Sequence, residues 1–156
     1  MWDKDKAVTI FQGMFTAAGG NIDGVLAAND TLGNAAITIL KQNGKTVPVT
    51  GQDASVQGLQ NILAGDQCMT VFKDVKKEAD AASKLAIALI KGQSPETAGV
   101  TTKVHDPTGN RDVPSVLLTP VTVTKANVKT VTDTGEVAVA DVCKGYETQC
   151  KAAGIQ

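Results

Sequence analysis

The sequence predicts an α/β fold in which a parallel sheet lies between layers of helix. Two observations carry that prediction. Short apolar runs stop abruptly at small polar clusters, first over Val25-Leu-Ala-Ala-Asn-Asp30 and again over Val47-Pro-Val-Thr-Gly-Gln-Asp53, and an amphipathic helical pattern follows each. Runs of this length bounded by turn residues read as strands buried on both faces, and their alternation with helices reads as a parallel sheet. The composition agrees: aromatics are only 3% while Ala, Val, Gly and Thr are plentiful, which suits close packing of helix on sheet. Ligands of open α/β sheets bind beyond the carboxyl ends of the strands. Asn29 and Asp53, at two such ends, are therefore expected to project into one crevice.

Along the chain, residues 4–18 place Ala7, Ile10, Phe11, Met14, Phe15 and Ala18 at helical spacing. Asp3 is the candidate cap and Gly19-Gly20 the stop. Residues 22–28 are the first expected strand. The next helix begins at Asp30 or Thr31, carries Leu32, Ala35, Ala36, Ile39 and Leu40 on one stripe, and stops at Gly44. Residues 47–50 are the second expected strand. Ser55 caps a helix bearing Val56, Leu59, Ile62 and Leu63, Gly65 ends it, and residues 68–72 form a third strand. Asp74 caps the longest helix, about 75–91, with Val75, Ala79, Ala82, Leu85, Ala86 and Leu89 as its apolar set and Gly92 at its end. Lys76, Lys77, Glu78 and Asp80 are expected on its solvated face. Residues 93–115 hold three of the five prolines and read as loop with room for a short hairpin. Residues 116–124 contain Pro120, which suits an edge or crossing strand rather than a central one. From 125 onward the chain is polar, and a turn, a short strand and a final short helix are expected.

A length of 156 residues allows one domain with a core of its own, and a net charge of −1 argues against nucleic acid or an anionic membrane surface as partner. No apolar stretch reaches the roughly 18 residues that span a bilayer. The Met1-Trp-Asp-Lys4 start lacks the apolar run of a signal peptide. Of the three cysteines, Cys68 lies in a strand-like run and is expected to be a buried thiol. Cys143 and Cys150 flank a polar segment. In one continuous helix they would stand about 10.5 Å apart, too far to bridge. Gly145 permits a turn between them, so a disulfide and two free surface thiols both stay open, and a bridge would imply an oxidising compartment.

Several ordered motifs carry a family resemblance: Trp2-Asp before a helix, Ile22-Asp-Gly-Val-Leu-Ala-Ala-Asn-Asp30, Gly51-Gln-Asp53, Ile62-Leu-Ala-Gly65, Met69-Thr-Val-Phe-Lys73 and Val113-Pro-Ser-Val-Leu-Leu-Thr-Pro120. Together they resemble the C-terminal half of bacterial periplasmic xylose-binding proteins, the solute-binding components of ABC sugar importers in the ribose-binding-like group. The likeness covers nearly the whole chain and is weakest from Ala126 on, where the cysteine pair resembles the tails of some members. It implies a three-layer, periplasmic-binding-protein-like lobe that is incomplete, with a helix and a crossover strand belonging to the other lobe. Residues 1–73 would be the later part of the second sugar-binding lobe. Residues 74–115 would return to the first lobe, 116–125 would be the crossover strand, and 126–156 a tail with a disulfide between Cys143 and Cys150. Such a chain would be an engineered truncation, a proteolytic product or a natural short form of a periplasmic or extracellular parent.

Four positions match the family's sugar contacts. Trp2 would stack its indole on the C–H face of a pyranose; without the resemblance it reads as an apolar staple before the helix. Asn29 offers an acceptor and donors to a hydroxyl, or else caps the helix that follows. Asp53 would accept hydrogen bonds from two adjacent hydroxyls, or else cap a helix. Lys73 would donate to a hydroxyl or ring oxygen at the hinge, or else be an exposed lysine. Asp30 is assigned to capping. His105, the only histidine, reads as a surface residue with no partner at metal spacing. The sequence contains no Ser/His/Asp set or phosphate-cradling loop. The reading is therefore a non-enzymatic sugar-binding module without cofactor or metal. Its partners would be a xylose-like monosaccharide, the ABC permease of the parent, and either the missing N-terminal lobe or a second copy. The alternative is the effector-binding domain of a sugar-responsive transcriptional regulator of the same fold; a bridged cysteine pair favours export and a free pair the cytosol.

Overall fold

The computed structural model describes residues 2–155. It divides into two compact units, Met1–Phe72 with Val121–Gln156, and Lys73–Pro120.

The first unit begins with α1, Lys4–Ala17, whose Asp3 cap accepts from the Lys6 N–H at 3.0 Å. Phe15 faces a core shared with Ile37, Ile39, Leu40 and Val49, and Phe11 packs at its margin. α2, Asp30–Gln42, buries an almost continuous run from Ala35 to Leu40 because it packs against both α1 and α3. α3, Val56–Ala64, is capped by the Ser55 hydroxyl and ends at Gly65, whose φ of 88° is the left-handed turn that glycine supplies without steric cost. Leu59, Ile62 and Leu63 of this helix join Phe72 and Val123 in a second core cluster.

The expected strands are shorter than the sequence implies. Segments 22–28 and 47–50 meet in a single parallel bridge, Val25 to Val49. Only β1, Thr70–Phe72, is a regular strand here, and it pairs antiparallel with β4, Val121–Val123. The reason is that side chains enter the ladder. The Ala27 N–H donates to the Thr50 hydroxyl at 3.0 Å, and the Ala54 N–H to the Thr70 hydroxyl at 3.2 Å, where a regular sheet would use main-chain carbonyls. Backbone bonds still run in parallel register on either side, from Val25 to Pro48, Thr50 to Val25, Cys68 to Val49 and Asp53 to Val71. Cys68 is exposed, not buried, with its thiol donating to the Val49 carbonyl at 3.1 Å.

The outer edge of 22–28 is open. The backbone N–H and C=O groups of Gly24, Leu26 and Ala28 make no hydrogen bond among the described residues, and Leu26 is 93% exposed. Beside this edge runs an apolar groove of about 700 Å³ lined by Ile10, Phe11, Met14, Val25, Leu26 and Leu32.

The tail holds three short helices, α5 (Lys129–Thr132), α6 (Val139–Cys143) and α7 (Glu147–Ala152), in place of the expected strand and single helix. Val128, Val131, Val142, Cys150 and Ile155 pack into the α3 cluster. Long-range burial rather than local periodicity holds these turns. Cys143 and Cys150 are bridged, with Cα atoms 5.8 Å apart. Gly145, at φ 78°, makes the turn between them, and its N–H donates to the Glu147 carboxylate at 2.9 Å. That bond holds the Glu147 carboxyl below the usual carboxylate range.

In the second unit, α4, Val75–Ile90, starts at an Asp74 cap that accepts from the Lys77 N–H. Lys76, Lys77, Glu78 and Asp80 are exposed, as their charge demands. The apolar set behaves otherwise. Leu85 is half-buried, but Val75 and Leu89 are exposed, and of the whole helix only Ala88 is buried. A 3-10 turn over Pro95–Ala98 packs on α4 and leads to a hairpin, β2 (Thr102–Asp106) and β3 (Arg111–Ser115), with His105 opposite Asp112. Pro114 sits in β3, where a two-stranded ribbon tolerates the missing donor.

Candidate functional site

The two expected segment ends meet. The Asp30 N–H donates to the Gln52 carbonyl at 2.9 Å, which ties the residue after Asn29 to the residue before Asp53. Asn29 is the N-cap of α2: its side-chain oxygen accepts from the Leu32 N–H at 3.0 Å. The cap thus takes the carbonyl side of the amide. The Asn29 Nδ2 group makes no hydrogen bond among the described residues. The capping and ligand roles set against each other by the sequence are compatible on one side chain.

Asp53 is exposed, and its backbone is unusual. Its φ is 95° and that of Ala54 is 48°, two successive non-glycine residues in left-handed territory. A side chain costs roughly 1–3 kcal/mol there, and such strain persists only where the surroundings over-determine it. A glycine would relieve the turn, so the aspartate stands there against a conformational preference. Observed strain of this kind is a pointer to function.

Asp30, expected as a capping residue, is neither exposed nor the cap. It is 2% exposed, and its carboxylate accepts four hydrogen bonds. Oδ1 takes the Gln67 amide and the Thr70 hydroxyl, both at 2.8 Å; Oδ2 takes the Ser55 N–H at 2.8 Å and the Ser55 hydroxyl at 3.0 Å. These partners lie 25 to 40 positions away in sequence, so nothing local announces them. The available signal was indirect, in Gly51 and Gly58, which leave room for this carboxylate.

Two further contacts are expected, Trp2 and Lys73. Trp2 stands just before α1 and is 68% exposed. Lys73 is half-buried and is the first residue of the second unit. His105 is exposed in the hairpin, 3.1 Å from Asp112. No cluster of three or more His, Cys, Asp or Glu side chains able to hold a metal occurs among the described residues, and no helix among them is long and apolar enough to cross a membrane.

Comparison with known proteins gives one consistent family. A family model described as periplasmic binding protein domain matches residues 1–94. The D-xylose-binding periplasmic protein of Escherichia coli K12 is 39% identical over 130 residues, covering 82% of this chain and 38% of that protein. The multiple sugar-binding periplasmic receptor ChvE of Rhizobium radiobacter is 34% identical over 151 residues, covering 92% of this chain and 42% of the receptor. Among solved structures, a carbohydrate transporter solute binding protein from Chloroflexus aurantiacus in complex with D-glucose superposes with a TM-score of 0.77 at 34% identity, covering 90% of this chain and 42% of that one. The chain therefore spans about two fifths of the length of the relatives it matches. Those relatives share its α/β architecture, and the few strands here agree with an incomplete lobe. The chain belongs to the periplasmic binding protein domain family.

Proposed function

We propose that this chain carries part of a monosaccharide site, for a xylose-like sugar, of the solute-binding component of an ABC transporter. The observation that carries the reading is the junction of Asn29 and the strained Asp53 at two adjoining segment ends, the place where α/β sheets bind ligands. Asn29 would donate through Nδ2 to a sugar oxygen. Asp53 would accept from two adjacent hydroxyls with charge-assisted bonds. Trp2 would stack on the sugar's C–H face, and Lys73 keeps the donor role that the resemblance gives it. None of these roles is catalytic. In the parent, sugar would bias an open–closed equilibrium that the permease reads. Residues 74–115 would belong to the other lobe and 116–125 would be the crossover. The bridged cysteine pair supports an oxidising, periplasmic setting for the parent over a cytosolic regulator.

The reading is tested by following backbone amides while D-xylose is added to high millimolar concentration. The amides of Asn29 and Asp53 are expected to shift in a saturable way, with the hairpin 102–115 unmoved. Shifts confined to the hairpin or to the tail would overturn it.

Taken alone, the chain also exposes the 22–28 edge. The self-complementary row of N–H and C=O groups at Gly24, Leu26 and Ala28 carries no charged side chain and lacks the guards that keep edge strands apart. Two copies are expected to pair there, so light scattering of a concentrated solution should give a mass above 16.1 kDa. A clean monomer would count against it.

A further inference from the structure

We propose that Asp30 is the positioning residue of the Asn29–Asp53 rim, a carboxylate that does not touch ligand but locks the left-handed turn at Asp53–Ala54 beside Asn29. Its meaning for binding rests on the sugar reading above; its structural content does not.

The bonds around the turn converge on this one side chain. The carbonyl before Asp53 accepts from the Asp30 N–H at 2.9 Å. The Ala54 N–H donates to the Thr70 hydroxyl at 3.2 Å, and that hydroxyl donates in turn to Asp30 Oδ1 at 2.8 Å. The Ser55 N–H and hydroxyl both donate to Oδ2. The Asp53 N–H is held by the Val71 carbonyl at 2.9 Å. Residues 52, 54 and 55 are thus all tied, directly or through Thr70, to the residue that follows Asn29. This is the over-determination that a strained turn requires.

Two further features show that the surroundings are built around the carboxylate. Gln67 turns its amide so that Nε2 donates to Asp30 and to the Met69 carbonyl, and its Oε1 is left buried with no partner among the described residues. An unpaired buried acceptor is costly, and the donation to a charged oxygen offsets it. Backbone also approaches closely on two sides: a Cβ on Gly51 would lie 2.1 Å from Oδ1, and one on Gly58 2.2 Å from Oδ2. A buried carboxylate with all acceptor positions engaged has no capacity left for a ligand. It acts through the geometry of its neighbours.

The test uses the whole chain and reads the turn itself. At positive φ the amide and α protons of one residue lie close, which gives an intense intraresidue cross-peak; in ordinary extended backbone they lie further apart. Wild-type protein should show intense cross-peaks at Asp53 and Ala54. Asp30→Asn puts an NH2 group against the Ser55 donors, and Thr70→Val removes the relay to Ala54 while suiting a strand. Each is expected to abolish the intense cross-peaks while Leu59, Ile62 and Val123 keep their folded shifts. Thr70→Ser, which retains the hydroxyl, should preserve them. If Asp30→Asn fails to fold, Thr70→Val decides alone. Intense cross-peaks kept in a folded variant, with only a lower melting temperature, would overturn the proposal. Adding D-xylose to wild type separates the two ideas. Unmoved Asn29 and Asp53 amides would sink the sugar reading, and the cross-peak result would still decide the role of Asp30.

Discussion

Gly58→Ala is expected to destabilise the larger unit by about 3 kcal/mol or more, a large share of the roughly 5–15 kcal/mol that holds a domain of this kind. The added methyl would stand 2.2 Å from Asp30 Oδ2 and 2.4 Å from its Cγ. Neither side can yield cheaply. Gly58 lies in α3, one turn past the Ser55 cap, and the carboxylate is fixed by four bonds. Moving it strands the donors of Ser55, Thr70 and Gln67 in a buried place. Denaturant unfolding checks the magnitude, and a double variant checks the cause. In an Asp30→Ala background the same Gly58→Ala change should cost markedly less, because the atoms it collides with are gone; contacting residues are not additive. Gly13→Ala serves as the control: nothing lies within 4 Å of its added Cβ, and in mid-helix the change should stabilise by about 1 kcal/mol. A Gly58→Ala protein within about 0.5 kcal/mol of wild type would contradict the close approach.

The second large effect is expected at the Cys143–Cys150 bridge. Replacing both cysteines by serine should lower stability by about 2–3 kcal/mol, since even a short closed loop restricts the unfolded chain and Cys150 is itself buried in the α3 cluster. The loss should be local first. α6 and α7 are single turns with little helix stability of their own. Hydrogen exchange should therefore quicken over 139–152 before it does in α2 or α3. Reductant on wild type should reproduce the pattern and leave the hairpin 102–115 unchanged. Equal protection of the tail with and without the bridge would show that Val128, Val131, Val142 and Ile155 hold it unaided.

Helix limits were legible because their signals are local. Asp3, Ser55 and Asp74 cap where the sequence put them, and Gly65 and Gly92 close helices with positive φ. The strands were legible in position but not in extent, since nothing in Val47-Pro-Val-Thr50 says that the threonine hydroxyl will replace a carbonyl in the ladder. Cys68 is exposed against expectation for a related reason: it sits where the chain runs beside Val49, with its thiol on the Val49 carbonyl. The tail's three short helices have no apolar period to announce them, because distant packing holds them. Motif likeness marks Asn29 and Asp53 as expected contacts, while Asp30, whose carboxylate ties the neighbouring segments together, reads from sequence as a cap. Its partners are too remote in sequence to be read from the residues around it. The exposed face of α4, by contrast, is an apolar stripe that the sequence marks clearly and the chain by itself does not cover.

Under the proposed reading the chain supplies only part of a sugar site and should bind weakly. Each sugar hydroxyl is already bonded to water, so the few groups supplied here gain little by replacing that water. Calorimetric titration of the 156-residue chain with D-xylose measures this directly. The expected result is no saturable heat through the micromolar range, with binding no tighter than millimolar. A dissociation constant in the micromolar range or below would mean that this chain holds a complete site, and the partial-lobe account would be wrong.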